Sequence, residues 1–567
     1  MILAALLWLF QTIIFMLYGR GFIHFAKRLV FHGNDATPSV VLVFLTGLGV
    51  VTSLASLLSL GLNLSALALG ILTVGAVVLG VLEWRAGNMR SVDINPRHFW
   101  NQHKFWLLAG LLLIGIVLEV STRLPTNPDT AIYHAQTIHW IEDFPAVPGL
   151  GNLHTRLAFN SSWLVTNALF SLAFTGLQSF HTTPGLLLAV FCLYALGGVR
   201  KIYEKSAHLS DWVKALLLPL TFATIAGESS SPGTDFPAIL VLWFVMVEWM
   251  SLREKTPSSP IHGLLIAWLS IFAITLKLSV APAALFALLV WIGFLRARQF
   301  RPAVWLVAVG ILTLIPWFAR NAIVSGYLVY PMPAVDVFQF DWKIPRQTAV
   351  DEVSVIQSWA RIPREDSALV RSLPVNKWAS IWYLNQSLFV QILLWTILGT
   401  TTLFLLAALF SSRFRNQTLP LGKEYASTAA AILAGLVFWF FSAPDIRFGY
   451  GFVLAAFALS TALWLHLCLP IVKPLVRWTA LLALLITILL WGASYRPLGI
   501  KSVLSHLVEP FDYAGYSTNP CQIHEKTLLC AAAYNECGYS AFPCILTSNP
   551  AVEMRGDDFS AGFRTIK

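Results

Sequence analysis

The chain has 567 residues, is 57% apolar and only 12% charged, and carries a formal charge of +10; its mean hydropathy is +0.70. Soluble domains carry about a quarter charged residues, so a soluble protein is excluded. No basic domain or nucleic-acid motif accompanies the charge, which excludes a DNA- or RNA-binding protein. Apolar runs of spanning length recur from end to end, and they predict an all-α fold, a polytopic transmembrane helical bundle.

In chain order the candidate spans are 2–18, 39–61, 65–83, 105–121, 160–178, 183–199, 212–226, 236–252, 262–280, 282–296, 303–319, 384–411, 427–441, 450–469 and 478–494. Each lies near the ~20 residues that a bilayer requires. The first has no basic n-region and no small-residue cleavage site, so it reads as a retained span rather than a signal peptide. Lys and Arg cluster in the short loops 20–28, 85–104, 200–205, 253–255, 296–301, 413–423 and 473–477. Retention of these cations in the cytoplasm leaves 122–159, 227–235, 320–383, 442–449 and the tail from about 495 outside, with about 14 crossings. The stretch 160–199 shows two apolar runs but must cross once net. One run, 160–178, is therefore expected to be re-entrant or to lie along the interface.

Three regions result: N-terminal transmembrane helices in 1–104, a transmembrane core with outer loops in 105–494, and a cysteine-containing extracytoplasmic tail in 495–567. Most of the positive charge serves topology and contact with anionic lipid. Loop 320–383 is different, because it is external yet holds Arg320, Lys343, Arg346, Arg361, Arg364, Arg371 and Lys377. Cations kept against the topological bias suit a phosphate-bearing ligand. No internal repeat of the kind found in transporters is visible, which counts against a secondary transporter.

The outer loops hold the residues able to do chemistry. Asp129 follows Asn127 and Pro128 just beyond a span, where a new helix is expected to begin. It has polar and aromatic neighbours in sequence and no evident cationic partner. A helix N-cap is the plain reading of such an acid; the surrounding His134, Gln136 and Trp140 favour a chemical one. Glu228 and Asp235 lie in the Ser/Pro/Gly-rich loop 227–235, where Asp235 again could be only a cap. Lys277 ends a span on the outer side, either snorkelling or facing an anion in a cavity. Arg320 and Asn321 close another span before a turn through Gly326, Tyr330 and Pro331. Asp445 and Arg447 open a span from outside, a pairing that is most often structural.

Cys192 and Cys468 lie in spans and read as small apolar fillers. Cys521, Cys530, Cys537 and Cys544 fall in the external tail and read as disulfides. Three pairings are possible, and close spacing favours Cys521–Cys530 with Cys537–Cys544. Zinc fits less well, with no C-x-x-C pair and His524 the nearest histidine.

The acid after a span at Asp129, the acid of the next outer loop at Asp235, the W-x-x-R-N…G-x-x-x-Y-P string from Trp317 to Pro331 and the Arg447 segment together resemble the GT-C superfamily of integral-membrane glycosyltransferases. That group contains protein O-mannosyltransferases and the aminoarabinose transferases of lipid A. The resemblance covers about 105–450 and rests on the order and shared side of the motifs. The string VPGLGNLHTRLAFNSSW and the cysteine-containing tail also resemble an uncharacterised bacterial membrane family of GT-C-like topology. The resemblance implies a GT-C-type bundle that moves a hexosyl or pentosyl group from a polyprenyl-phosphate donor to an extracytoplasmic glycan, lipid or protein. Transfer would be inverting, in a plasma (inner) membrane. Asp129 would be the base, with Asp235 as a second catalytic acid. His134, His139, His154, Arg156, Glu228, Lys277, Arg320, Asn321, Tyr330, Asp445 and Arg447 would bind substrate. The paired acids of better-known members are missing at Asp129, so a divalent cation (Mg or Mn), held if at all by Asp129 and Asp235, stays an open expectation. Two other functions compete: a lipid-linked glycan polymerase or ligase, and a polysaccharide or lipid transporter.

Overall fold

The computed structural model describes residues 1–31, 38–87, 96–254, 259–468, 475–495, 500–523, 526–533, 535–547 and 549–566. Arg90, Lys255 and Lys473 of the basic loops and His524 of the tail lie outside these, as do the side chains of Arg97 and Cys468. Twelve helices among the described residues are long and apolar enough to cross a membrane, from Ile2–Phe31 to Leu475–Tyr495. The shortest have 19 residues, about the ~30 Å of a hydrocarbon core at ~1.5 Å per residue. Leucines line the outside of these helices, as on Leu388–Phe410, whose Leu398, Leu403 and Leu405 are exposed. A helix exposing such a surface needs lipid as its solvent, and the protein is a multi-pass membrane protein.

Packing inside the bundle is closest where side chains are smallest. A Cβ on Gly47 would lie 1.6 Å from the Phe15 carbonyl oxygen, and one on Gly19 would lie 1.9 Å from that of Val43. The helices Ile2–Ala26 and Val40–Leu58 therefore touch backbone to backbone, the contact that small residues permit between membrane helices.

The stretch expected to be re-entrant does not span. Ser162–Leu169 is a helix of 8 residues, all buried, about 12 Å long by the helical rise. Protein covers its polar groups. Ser161 Oγ caps it by accepting from Trp163 N at 3.1 Å and donates to the Leu276 carbonyl at 2.7 Å, while Thr166 Oγ1 meets Thr52 Oγ1 at 2.8 Å. The chain then folds back, Phe180 N donating to Ser171 O at 2.8 Å. The crossing helix of this region is Thr183–Tyr203.

The loops expected to share a side do share one face. Ile2 N donates to Leu507 O at 2.8 Å, Phe511 N to Thr122 O at 3.0 Å, Gly149 N to Ile323 O at 2.8 Å and Phe563 N to Pro148 O at 2.9 Å. Gly149 must be glycine: its φ is +64°, and a Cβ there would meet the Phe563 oxygen at 2.1 Å. Loop 320–383 contains three helices that the apolar runs did not reveal, Arg346–Arg361, Ser367–Ser372 and Val375–Leu384.

The tail forms strands Thr518–Ile523 (β1), Lys526–Ala531 (β2), Cys544–Ile545 (β3), Val552–Met554 (β4) and Phe563–Thr565 (β5). They make a sheet in the order β1-β2-β3 and a β4-β5 pair. Cys521 bonds Cys530 and Cys537 bonds Cys544, the pairing that spacing favours. The tail shares its core with the loop face: Ile523, Ile545 and Phe563 pack in one cluster with Trp140, Leu150 and Val324. Small domains that bury little apolar surface depend on such staples.

Candidate functional site

The site begins with a turn that the sequence Asn127-Pro128-Asp129 dictates. Pro128 holds Asn127 out of the helical region, and the Asn127 side chain is then free to bond locally: its Oδ1 accepts from Asp129 N at 2.9 Å. Its Nδ2 donates to Glu228 Oε2 at 2.7 Å, which ties the first acidic loop to the second. The next turn of the chain is not an ordinary α-turn. Thr130–His134 is a π-helical turn, and the Asp129 side chain makes no capping hydrogen bond to it. The plain capping role is thereby removed.

The Asp129 carboxylate goes elsewhere, and here the sequence expectation needs correction. Far from lacking a cationic partner, it has two: Oδ1 lies 3.4 Å from Arg156 Nη1 and Oδ2 lies 3.3 Å from Arg447 Nη1. Arg156 lies 27 residues and Arg447 318 residues along the chain, so no local pattern could pair them. Arg447 is shared, its Nε standing 3.5 Å from Asp445 Oδ2. Asp445 itself accepts from Arg447 N at 3.0 Å and so orients the start of that helix. Lys277 neither snorkels nor stands alone, because its Nζ is 2.5 Å from Asp235. Its ammonium also lies over the Phe448 ring at 4.5 Å, with the Arg447 guanidinium over the same ring at 5.5 Å. Arg156 lies 5.9 Å over Tyr133. Such stacking holds a cation in place without consuming its hydrogen-bond donors.

Four carboxylates (Asp129, Glu228, Asp235, Asp445) and three cations (Arg156, Lys277, Arg447) thus converge from five separate segments. Burial and these charges together shift two of the acids in opposite directions. Burial works to raise the Asp129 carboxyl, but His134, Arg447, Lys277 and Arg156 outweigh it and hold the group below its ordinary value. Glu228 is raised, chiefly by burial and against the Asn127 hydrogen bond. Burial holds His134 neutral by lowering it to about 4, so at neutral pH the arginines and the lysine keep Asp129 ionised. Environments that separate two neighbouring acids in this way are the usual means of giving them different roles.

The cluster lies within a stretch that can be assigned. A family model described as a domain of unknown function, DUF8201, matches residues 1–454. The chain belongs to the DUF8201 family. No curated protein and no solved structure matches it significantly. The DUF8201 match takes in every member of the cluster, from Asp129 to Arg447, and stops before the disulfide-bonded tail.

Other expected site residues are placed elsewhere. His139 stacks between Tyr539 at 4.4 Å and Phe542 at 3.8 Å, and its Nδ1 lies 3.1 Å from the Tyr539 backbone carbonyl oxygen. It therefore docks the tail of this DUF8201 protein instead of facing Asp129. Arg320 is buried, with Nη1 donating to Ser59 Oγ at 3.0 Å. Asn321 Nδ2 donates to the Trp317 carbonyl at 3.1 Å. Arg320 thus ties its helix to the end of Val40–Leu58, while Asn321 bonds within its own helix. His154 precedes the 3-10 turn Thr155–Ala158 that carries Arg156, and burial, followed by the Arg156 charge, lowers it to about 3. Tyr330 borders the region through Phe159, 5.8 Å from its ring, which in turn lies 5.8 Å from Tyr133.

Among the described residues no group of three or more His, Cys, Asp or Glu side chains is placed to hold a metal ion. Each acid is instead matched to a cation or to Asn127, so the donor set does not fit a Mg or Mn ion. Asn127 and Phe448 are members of the site that sequence reasoning did not single out. The Asn-Pro-Asp string is the only signal that could have indicated the first.

Proposed function

We propose that this protein is a membrane glycosyltransferase of GT-C type, with about 14 crossings, that works at the extracytoplasmic face of a plasma (inner) membrane. In this reading Leu209–Thr224 and Pro260–Leu276 cross along with the twelve longer helices, and the N-terminus and tail lie outside. The observation that carries the reading is the sharing of Asp129 between Arg156 and Arg447. It supplies an ionised carboxylate and phosphate-binding groups at one point on a membrane-facing bundle.

The donor is a sugar on a polyprenyl phosphate, its chain in the bilayer and its phosphate at the surface. Phosphate competes for the guanidinium groups, since charge-assisted bonds from Arg to phosphate are strong and often bidentate. Arg447 and Lys277, side by side over Phe448, hold the phosphate, and Asp129 gives up part of its cationic shell. Its proton affinity then rises when an acceptor hydroxyl is present. The hydroxyl oxygen bonds to the anomeric carbon as the bond from that carbon to the phosphate oxygen breaks. The electron pair leaves with the polyprenyl phosphate, stabilised by the cations, and the proton passes to Asp129. Attack opposite the leaving group inverts the centre. Asp235 keeps Lys277 in place.

Thin-layer analysis of the reconstituted protein with a radiolabelled polyprenyl-phosphate sugar tests this reading. A labelled acceptor product supports it. Lengthened lipid-linked chains would make the protein a polymerase or ligase, and movement of label between leaflets without transfer would make it a transporter.

A further inference from the structure

The π turn Thr130–His134 has a consequence for which residues share the site. Ala135 N donates to Thr130 O across five residues, and a π turn holds about one residue more than an α turn. Asp129 and His134, five apart, are thereby brought towards one face, where a regular α-helix would turn them apart. The tail sustains this irregularity, with Cys537 N and Gly538 N both donating to Ala131 O at 2.9 Å.

His134 is 2% exposed, and neither ring nitrogen has a hydrogen-bond partner. Thr130 Oγ1, on the same turn, is likewise buried without a partner. The His134 ring lies tilted against Tyr133, 4.3 Å between centroids, and is within electrostatic reach of Asp129, Lys277, Asp235 and Arg447. A buried polar group without a partner costs about 1–3 kcal/mol, so native structures fill such places with water or ligand. Two of them on one π turn beside the cluster mark a place for a small polar group.

We propose that His134 is a positioning residue that binds the ligand's hydroxyl group, its imidazole N–H donating to the hydroxyl oxygen while the hydroxyl proton points to Asp129. A hydroxyl oxygen accepts and donates at once, so the two side chains fix both its place and its direction. Thr130 Oγ1 supplies the next contact, to a neighbouring oxygen of the same ligand. The ligand class is a polyol or sugar hydroxyl. An imidazole that burial keeps uncharged does not compete for the phosphate and so leaves the anion to the arginines and the lysine. This assignment deepens the transfer reading and rests on it for naming the hydroxyl as the acceptor's.

Two measurements on the full-length protein test it. The first needs no activity: a cryo-EM map of the reconstituted apoprotein at a resolution that resolves water, together with the melting temperature of His134→Leu. An ordered water within hydrogen-bond reach of both a His134 nitrogen and an Asp129 oxygen is expected, standing in for the hydroxyl, with a variant at least as heat-stable as the parent. An imidazole bonded to a protein atom, or a variant several degrees less stable, would overturn the proposal. The second is transfer kinetics: His134→Leu is expected to lose about 10²-fold in kcat/KM, and His134→Gln to recover part of the loss. Unchanged kinetics in His134→Leu would overturn the role of His134 and leave the transfer reading standing. If the parent protein transfers no sugar, the transfer reading fails, and the water and stability results decide the hydroxyl site alone.

Discussion

Arg447 crosses 318 residues of sequence to place its Nη1 3.3 Å from Asp129 Oδ2. Its Nε turns to Asp445 in the same segment, so one guanidinium joins the loop after Pro96–Ser121 to the helix that begins at Ile446. A pair with both partners partly open to solvent adds little to stability by itself. Its value is positional, because it fixes the carboxylate and the cation at one point.

A double-mutant cycle on Asp129→Asn and Arg447→Gln probes that contact. Residues in direct contact couple by about 0.5–3 kcal/mol, and the cycle read on transfer rates should show coupling in this range. Arg320→Gln paired with Asp129→Asn serves as the control and should be additive, since Arg320 bonds Ser59. Additivity in both cycles would separate Arg447 from the chemistry.

Topology is open to direct labelling. Single cysteines at Leu177 and Pro550, both exposed, should react with an impermeant maleimide on the same side of the membrane. One at Lys205, in the basic loop after Thr183–Tyr203, should react only from the other side. Labelling of Leu177→Cys and Pro550→Cys from opposite faces would contradict the shared face on which the site depends.

The tail braces the helix that carries the site. Gln136 Nε2 donates to the carbonyls of Gly538 at 2.9 Å and Ala541 at 2.7 Å, and its Oε1 accepts from Cys544 N at 3.0 Å. Tyr539 adds a hydrogen bond to Glu142. Replacing Cys537 and Cys544 by serine should loosen this loop, since losing a native disulfide costs about 2–5 kcal/mol. Hydrogen exchange should then rise in residues 130–144 and transfer should fall, with the spans still inserted. Unchanged exchange in that segment would show that the docking contacts hold without the staple.

Acid should destabilise the protein through two loop histidines, the buried His134 and the half-buried His154. His134 is lowered to about 4 and His154 to about 3, each first by burial, against about 6.5 in the unfolded chain. Between about pH 6.5 and 4 the unfolded state binds protons that the folded state refuses, so stability falls as pH falls through this window. Melting temperatures should decline from pH 7 to pH 4.5, and less steeply in His134→Leu. Equal slopes in parent and variant would mean that His134 is not buried neutral.

Much of the bundle is legible in the sequence because lipid imposes a simple rule: runs such as 39–61 and 478–494 must be helices about 20 residues long. The odd run 160–178 could be read as non-spanning because the loops on either side of 160–199 had to lie on opposite faces, which lets only one of the two apolar runs between them cross. The helices Arg346–Arg361 and Val375–Leu384 were not legible, since they lie outside the apolar runs. Within the site, Asp129, Asp235, Lys277 and Arg447 stand out as polar residues at span ends, but their pairings do not, because ion pairs between distant segments leave no periodic trace. His139 misled for a related reason: a histidine stacked between Tyr539 and Phe542 looks in sequence like one facing a substrate. The π turn at Thr130 was beyond reach, since it depends on contacts from the tail.

Asp129→Asn is the most direct test of the central claim, measured as transfer of radiolabelled sugar from a polyprenyl phosphate by the reconstituted protein. Asn keeps the size of the side chain, and its one carbonyl oxygen can still accept from Arg156 or Arg447, so expression and insertion should match the parent. In the proposed mechanism this removes the base, and transfer should fall by about 10²–10⁴-fold, with Asp235→Asn losing less. An Asp129→Asn protein that inserts normally and transfers sugar at the parent rate would contradict the account.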